Sequence, residues 1–501
     1  MTGIQTRGGD ELMATRQTVR EIHNFVGGRP ADAQTDERLD VLDPATGEVL
    51  GRVPLSGPSE VDQAVMVAAG AFQSWQDEPV TRRARRMFGL QVLLERELDQ
   101  LAELVTRENG KHLDEARGEV RRGIEVVELA AGMTTLMKGE TLDQVARGVD
   151  VSLHRFPLGV CCGITPFNFP AMIPLWFAPL AIAAGNTFVL KPSQRTPLTA
   201  NRLAELFAEA GFPDGVFNVV HGAQRAVEGL IDHPHTRAVS FVGSAPVAGK
   251  VYERSASRGK RVQALAGAKN HLVVMPDADL DLAVPAVFAS AFSNAGQRCL
   301  AGSVAVGVGE VGDELVAAIS HMASDARVAP GDEPGTDADS TITPVTTPEA
   351  LARITGYIEL GEREGATLCV DGRGQGEGGG FFLGPTVFDQ VAPEMTLARE
   401  EIFGPVLAVE RLEDLDRAIA AINASEFGNA AAIFTRDGGA ARKFVREAQA
   451  GMIGVNVSVP APVAYFPFAG WRGSFYGDLH ATGRDGVEFF TEKKVVTSRW
   501  T

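Results

Sequence analysis

Ala238-Val-Ser-Phe-Val-Gly243-Ser244-Ala-Pro-Val-Ala-Gly249 is the stretch that decides the fold. A short apolar run, Ala238–Val242, reads as a strand, ends in two small residues, and passes into helical spacing over Val247–Ser255. A glycine at such a turn lets the backbone come close to a phosphate, and the N–H groups opening the helix offer it a positive dipole end. The full G-x-G-x-x-G pattern is absent, so on this stretch alone an ordinary tight turn is an equally good reading.

The same alternation extends outward on both sides. Thr187–Leu190 and Val216–Val220 read as strands, and Pro197–Ala210 as a helix. A second series starts near His271, with strands at His271–Met275, Ser303–Val308 and Ala366–Val370, and with acids at Asp277–Asp281 opening a helix. Strand–helix alternation of this kind predicts an α/β fold with parallel sheets covered on both faces. Upstream, Val80–Ala131 reads as helical, with Leu101, Leu104 and Val105 on one face and the basic run Arg82–Arg86 on a solvated face. Gly331–Ser340 and Asp371–Gly380 read as surface loops, and the run Lys494–Ser498 is able to extend a sheet, including one in a neighbouring subunit.

At 501 residues and 45% hydrophobic content, the chain can build two or three domains with a large core that needs neither disulfides nor metal. The formal net charge of −17 argues against a nucleic-acid partner, which needs a basic face, but leaves room for small anionic ligands. No apolar run is long enough to span a membrane, and residues 1–20 read as a loose tail. Cys161, Cys162 and Cys369 sit in apolar runs that read as buried strands, where thiols behave as small hydrophobes. With no C-x-x-C pair and no zinc spacing, no metal is expected, and a reducing, cytoplasmic setting fits.

Cys299 differs. It lies in Asn294-Ala-Gly-Gln-Arg-Cys299-Leu-Ala-Gly, a small-residue segment between a helical run and the strand Ser303–Val308. A thiolate there could attack a carbonyl carbon, although on the residues alone an inert buried thiol is the commoner outcome. Arg298 beside it could lower the thiol's pKa, bind an anionic substrate or form a structural ion pair. Lys191 ends a strand and precedes Pro192. Ligands collect at strand carboxyl ends, so it reads either as a donor to ribose hydroxyls or as a plain surface lysine.

Taken together and in order, Pro166-Phe-Asn168-Phe-Pro, Lys191-Pro-Ser, Phe241-Val-Gly243-Ser244, Gly296-Gln-Arg-Cys299 and Glu400-Glu401-Ile-Phe403-Gly-Pro resemble the aldehyde dehydrogenase superfamily, from about Phe25 to Trp500. The resemblance implies a Rossmann-type cofactor domain (21–140 and 157–268), an α/β catalytic domain (269–465) and a small β oligomerisation extension (141–156 and 480–501), in a homotetramer or homodimer. It also implies roles. Cys299 attacks the aldehyde, and the Asn168 amide and Cys299 N–H hold the oxyanion. Lys191 and Ser193 lie at the adenosine ribose, Gly243 and Ser244 at the pyrophosphate, and Glu401 at the nicotinamide ribose with Phe403 and Phe167 close by. Trp176 lines the adenine side.

One departure narrows the reading. Hydrolytic members of the superfamily carry Glu-Leu-Gly-Gly-Lys, whose glutamate activates the deacylating water. Here the stretch is Leu265-Ala-Gly267-Ala-Lys269-Asn270-His271, and leucine accepts no proton. Gly267–His271, Arg261-Val-Gln, Gly211-Phe-Pro-Asp-Gly-Val and Arg472-Gly-Ser-Phe-Tyr-Gly-Asp478 are similar to the methylmalonate-semialdehyde dehydrogenases, which pass the acyl group to coenzyme A. That resemblance implies that Arg122 and Arg298 bind a substrate carboxylate with their guanidinium forks. It also implies oxidation of methylmalonate or malonate semialdehyde to propionyl-CoA or acetyl-CoA with loss of CO2. Gln194 stands where NAD-preferring members carry an acid, so NAD is expected and NADP stays open. A hydrolytic succinate-type semialdehyde dehydrogenase is the main alternative, and Leu265 opposes it. A non-catalytic scaffold on the same fold is the other; the retained Asn168, Lys191, Cys299 and Glu401 oppose that.

Overall fold

The computed structural model describes residues 19–376 and 379–500. Two largely parallel sheets carry the molecule. The first has eight strands, and its central five run in the order Arg261–Leu265, Thr236–Val242, Val160–Ile164, Thr187–Lys191, Phe217–Val219, all parallel. Val160–Ile164 and Thr187–Lys191 are buried along their whole length, as strands covered on both faces require. From Val160–Ile164 the chain winds first to one side and later to the other. The carboxyl ends of Val160–Ile164 and Thr236–Val242 therefore flank a topological switch point, where open α/β sheets form a ligand crevice.

The second sheet has seven strands, ordered Thr367–Val370, Thr386–Asp389, Val406–Leu412, Gly302–Val308, Asn270–Val274, Ala430–Phe434, Met452–Val455; only the first is antiparallel to its neighbour. Residues 266–269 alone join the carboxyl end of Arg261–Leu265 to the amino end of Asn270–Val274. The crevice of the first sheet thus meets the amino ends of the second. Cys299 precedes the strand Gly302–Val308 and lies on that amino-end side.

The expected strands and helices are present, with four differences. The run Val80–Ala131 is three helices, Val80–Arg96, Leu98–Asn109 and Leu113–Ala131. Within the basic run, Arg83 is buried rather than solvated. Its Nε donates to the Ala183 carbonyl at 2.9 Å and its Nη2 to that of Ala184 at 3.4 Å, satisfying the end of the helix Met172–Ala184. Cys369 is exposed rather than buried, because Thr367–Val370 is the edge strand of its sheet.

The fourth difference concerns the C-terminal extension. Residues 480–490 are not strand: they include the helix Gly483–Phe489, whose end is held by Arg261 Nη1 through the Glu488, Phe489 and Thr491 carbonyls. The last strand, Thr491–Arg499, pairs within the same chain with Val149–Pro157, which in turn pairs with Glu140–Ala146. This three-stranded sheet exposes Leu142, Val145, Phe156, Val495, Val496 and Trp500.

Of the expected N-terminal tail, residues 1–18 lie outside the described residues, and Arg20 already pairs with Gly51. Gly331–Ser340 is a loop, anchored where Gly331 meets the Lys111 backbone; residues 377 and 378 of the second expected loop lie outside the described residues. Among the described residues no helix is long and apolar enough to cross a membrane.

Candidate active site

Cys299 sits in a strained loop. Asn294, Ala295 and Gly296 have φ of 50°, 49° and 67°, three left-handed residues in succession, and all are buried. Gly296 is required there, since a Cβ would lie 2.2 Å from the Gly404 carbonyl oxygen. The loop is clamped at both ends. Glu115 accepts from Asn294 N–H at 3.1 Å, and the Cys299 carbonyl accepts from Asn270 Nδ2 at 2.9 Å and Asn429 Nδ2 at 2.8 Å. Neither asparagine was assigned a role from sequence, although Asn270 lies within the distinctive Gly267–His271 stretch.

The thiol is partly buried. Burial pushes its pKa up to about 12, with the Glu401 charge adding to the effect and the Cys299 and Leu300 N–H groups and Arg298 opposing it. The resting nucleophile is therefore a protonated thiol.

Asn168 faces it from the loop after Val160–Ile164. Its Nδ2 donates to the Gln297 carbonyl at 3.0 Å, which orients the carboxamide and leaves the second N–H free. Gln297 is fixed in turn, its Oε1 accepting from Thr346 N–H and Oγ, both at 3.1 Å. Asn168 is thus tied to the loop of Cys299 at the Gln297 carbonyl, two residues before the thiol.

At the crevice, Gly243 is needed by the ring of Phe241, which a Cβ would meet at 2.5 Å. Ser244 starts the helix Ala245–Ala256 and makes no side-chain capping bond; Pro246 has no N–H and Val247 N–H already donates to the Ser244 carbonyl at 3.1 Å, so the Ala245 N–H and the positive end of the helix dipole are what the start offers an anion. Lys191 is buried, which lowers its pKa to about 8, and its Nζ donates only weakly to Gln194 Oε1 at 3.4 Å. Ser193 Oγ accepts from Arg195 N–H at 3.1 Å. Glu401 accepts from Ala268 N–H at 3.0 Å, and burial raises its pKa to about 7 against the pull of Lys269 and Arg353. Phe403 holds a positive φ of 54°, which sets its ring edge-on to Phe167 at 5.9 Å. An uncapped helix start, a buried ammonium and a carboxylate along one crevice fit the phosphates and ribose hydroxyls of a dinucleotide.

Three residues sit differently from expectation. Trp176, on the helix Met172–Ala184, packs its ring 4.8 Å from Phe468, in the core that Cys299 borders, rather than at the strand ends with Lys191 and Gly243. Arg298 is committed to the helix Leu280–Phe292, its Nη2 donating to Ala289 and Ser290 carbonyls at 2.6 and 3.0 Å. Arg122, on Leu113–Ala131, is about one-third exposed and donates to the Pro462 carbonyl at 2.6 Å, near the exposed Tyr465 and Phe466. Leu265 is 5% exposed, within the apolar core that Cys299 borders. Among the described residues no cluster of His, Cys, Asp and Glu could hold a metal.

A dinucleotide-type crevice facing a cysteine, with a carboxamide between them, defines an oxidoreductase that works through a thiol. The chain belongs to the aldehyde dehydrogenase family, whose model matches residues 31–496. It is 54% identical over 484 residues to malonate-semialdehyde dehydrogenase 2 of Geobacillus kaustophilus (strain HTA426), covering 96% of this chain and 99% of that one. It is 53% identical over 489 residues to the malonate-semialdehyde dehydrogenase of Halalkalibacterium halodurans, covering 97% and 100%. Among solved structures it is similar to the methylmalonate-semialdehyde dehydrogenase of Oceanimonas doudoroffii, with TM-score 0.94 and 46% identity over 96% of this chain and 99% of that one. A putative methylmalonate-semialdehyde dehydrogenase from Sinorhizobium meliloti 1021, complexed with NAD, matches with TM-score 0.95 and 43% identity over 97% and 99%.

Proposed function

We propose that this aldehyde dehydrogenase oxidises malonate semialdehyde, or its 2-methyl form, and passes the acyl group to coenzyme A. The relatives' names support the substrate class. The observation that carries the acyl acceptor is Leu265, an apolar side chain where hydrolytic members hold a general base.

Cys299 Sγ gives up its proton to solvent water and adds to the aldehyde carbon, whose oxygen takes the negative charge. The alkoxide accepts from the second N–H of Asn168, whose carboxamide is already held by the Gln297 carbonyl, and from the Cys299 N–H. Lys191, Ser193, Gly243, Ser244 and Glu401 would hold a nicotinamide dinucleotide, with Phe403 and Phe167 beside it, and that group would supply the acceptor for the aldehyde hydride. A thioester then remains on Cys299. With no base at 265, water is not activated; a thiolate of coenzyme A attacks the thioester carbon and the Cys299 thiolate leaves. The substrate carboxylate, β to the acyl carbon, departs as CO2 with its bonding electrons delocalised onto the thioester carbonyl, and a proton replaces it. Products are acetyl-CoA or propionyl-CoA.

Arg122 binds the substrate carboxylate with the part of its guanidinium that Pro462 leaves free, and Arg298 contributes from the nucleophile's side. NAD is the proposed acceptor, supported by the NAD-complexed relative; Gln194 leaves NADP as the variant. The exposed hairpin and last strand supply the interface of a homodimer or homotetramer, and the four free cysteines fit a reducing cytoplasm.

The test is NADH production from malonate semialdehyde with and without coenzyme A, with the product identified by mass. Multiple turnovers to a free acid without the thiol would replace this reading by the hydrolytic one.

A further inference from the structure

We propose that the buried ion pair Lys111–Glu119 sets the position of the Asn168 amide, making both members positioning residues for thiohemiacetal formation. The inference rests on the reading of Asn168 as oxyanion donor.

The pair is almost fully enclosed, Lys111 at 1% and Glu119 at 0% side-chain exposure. Two charges taken out of water are costly, and well-packed apolar side chains often replace such a pair without loss of stability. Stability alone therefore does not account for it, and its contacts point to a different role. Lys111 Nζ donates to Glu119 Oε2 and to the backbone carbonyl of Asn168 itself, both at 2.6 Å, and lies 4.2 Å from the ring centre of Phe169. Glu119 Oε1 accepts from Ala171 N–H at 2.8 Å and Met172 N–H at 3.1 Å. One ion pair thus grips both ends of the five-residue stretch from Asn168 to Met172.

The gripping element also holds the nucleophile. Glu115, Glu119 and Arg122 are spaced four and three apart on the helix Leu113–Ala131 and so share one face. Glu115 binds the loop of Cys299 at Asn294, Glu119 binds the loop of Asn168, and Arg122 binds the Pro462 carbonyl. A single helix therefore fixes the sulfur and the oxyanion donor relative to each other, with the Gln297 carbonyl as their contact.

The test is a thermodynamic cycle on the NADH burst, read by stopped flow with saturating NAD and malonate semialdehyde and no coenzyme A. Removing Lys111 alone would strand a buried carboxylate. The working variant is Lys111→Met with Glu119→Gln, which is neutral and keeps an acceptor for Ala171 and Met172 N–H. We expect the burst rate to fall by about tenfold or more, a fraction of the loss typical when an oxyanion donor is removed outright. NAD affinity, read by fluorescence, should stay within about twofold of wild type. In an Asn168→Ala background the same two changes should alter the burst rate by less than about twofold, since the group they position is gone. A smaller fall, or an equal factor in both backgrounds, overturns the inference.

Should the double variant fail to fold, Glu119→Asp, which draws the carboxylate back by one methylene, is put through the same cycle. The wild-type burst needs no coenzyme A, so multiple turnovers without it would count against the proposed acyl acceptor and leave this cycle readable. An unchanged burst in Asn168→Ala alone would instead defeat the role given to Asn168.

Discussion

Gly296→Ala tests whether the nucleophile loop is held in register by contact with the Glu401 loop. At φ of 67° an alanine costs about 1–2 kcal/mol from left-handed strain. The new Cβ would lie 2.2 Å from the Gly404 oxygen, 2.6 Å from its carbon and 3.0 Å from the Ala291 oxygen, so both sides are blocked by backbone. Asn294 and Ala295 are already left-handed and cannot absorb the change by a simple flip. The loops must part by roughly 1 Å, and overpacking of that kind costs about 1–3 kcal/mol more. Total destabilisation should therefore be about 2–5 kcal/mol, read from urea unfolding. Cys299 is three residues after the clash and Glu401 three before Gly404. Misplacement by about 1 Å should slow the NADH burst by about a hundredfold, or about 2.7 kcal/mol of barrier. Gly70→Ala is the control, because nothing lies within 4 Å of its Cβ inside the helix Pro58–Trp75 and it should be neutral or slightly stabilising. A burst rate within about threefold of wild type, despite the loss of stability, would refute the idea that this contact sets the register of the thiol.

Leu265→Glu should return a base to the site and raise coenzyme A-independent turnover by about tenfold or more; an unchanged hydrolytic rate would mean that water is blocked by something else. Burial holds the Cys299 thiol near 12, so the thiolate fraction, and with it the rate of iodoacetamide alkylation of the cofactor-free enzyme, should climb about tenfold per pH unit from pH 7 to 10. This is measured in a Cys369→Ser background to remove the exposed competitor, and a plateau below pH 9 would contradict it. Glu401→Gln removes the carboxylate that pushes the thiol upward, so alkylation at pH 8 should quicken. Arg122→Leu should raise KM for malonate semialdehyde by about tenfold or more and leave propanal within about twofold. Arg298→Leu, which also strands the Ala289 and Ser290 carbonyls, should lower Tm and slow both aldehydes, with the larger rise in KM for malonate semialdehyde.

The parallel sheets were legible because fully buried strands write themselves as short unbroken apolar runs, and Thr187–Leu190, Ala238–Val242 and His271–Met275 all became strands within a residue or two. Arg83 and Cys369 were misjudged for one reason: their exposure depends on what packs against the element, not on the element's own pattern. A helix end landed on Arg83, and among the described residues no strand pairs beyond that of Cys369. The cysteine, the asparagine and the glycines at the crevice were readable as motifs. Lys111 and Glu119 were not, because a charged pair on a charged helical stretch carries no local mark of burial. Its only signal lies in contacts 57 and 52 residues away along the chain. Arg298 shows the converse: adjacency to Cys299 in sequence suggested a substrate role, and the fold turned part of its guanidinium toward a helix end instead.

Leu265 does more than remove a base. It is 5% exposed within the apolar core, so position 265 offers water neither a proton acceptor nor a polar contact. Glu401, the carboxylate whose charge bears on the thiol, is drawn the other way. Ala268 N–H binds it, and Gly267 leaves it room that a Cβ, 2.7 Å from Oε2, would take. The stretch Leu265–Lys269 therefore acts as a unit. Its first residue offers no proton acceptor, and its glycine and following N–H hold Glu401, the acid proposed to bind the cofactor. On the proposed mechanism, a thioester protected in both ways would persist long enough for a second, diffusing thiol to reach it, which is what an enzyme that finishes its reaction on coenzyme A needs and a hydrolytic one does not.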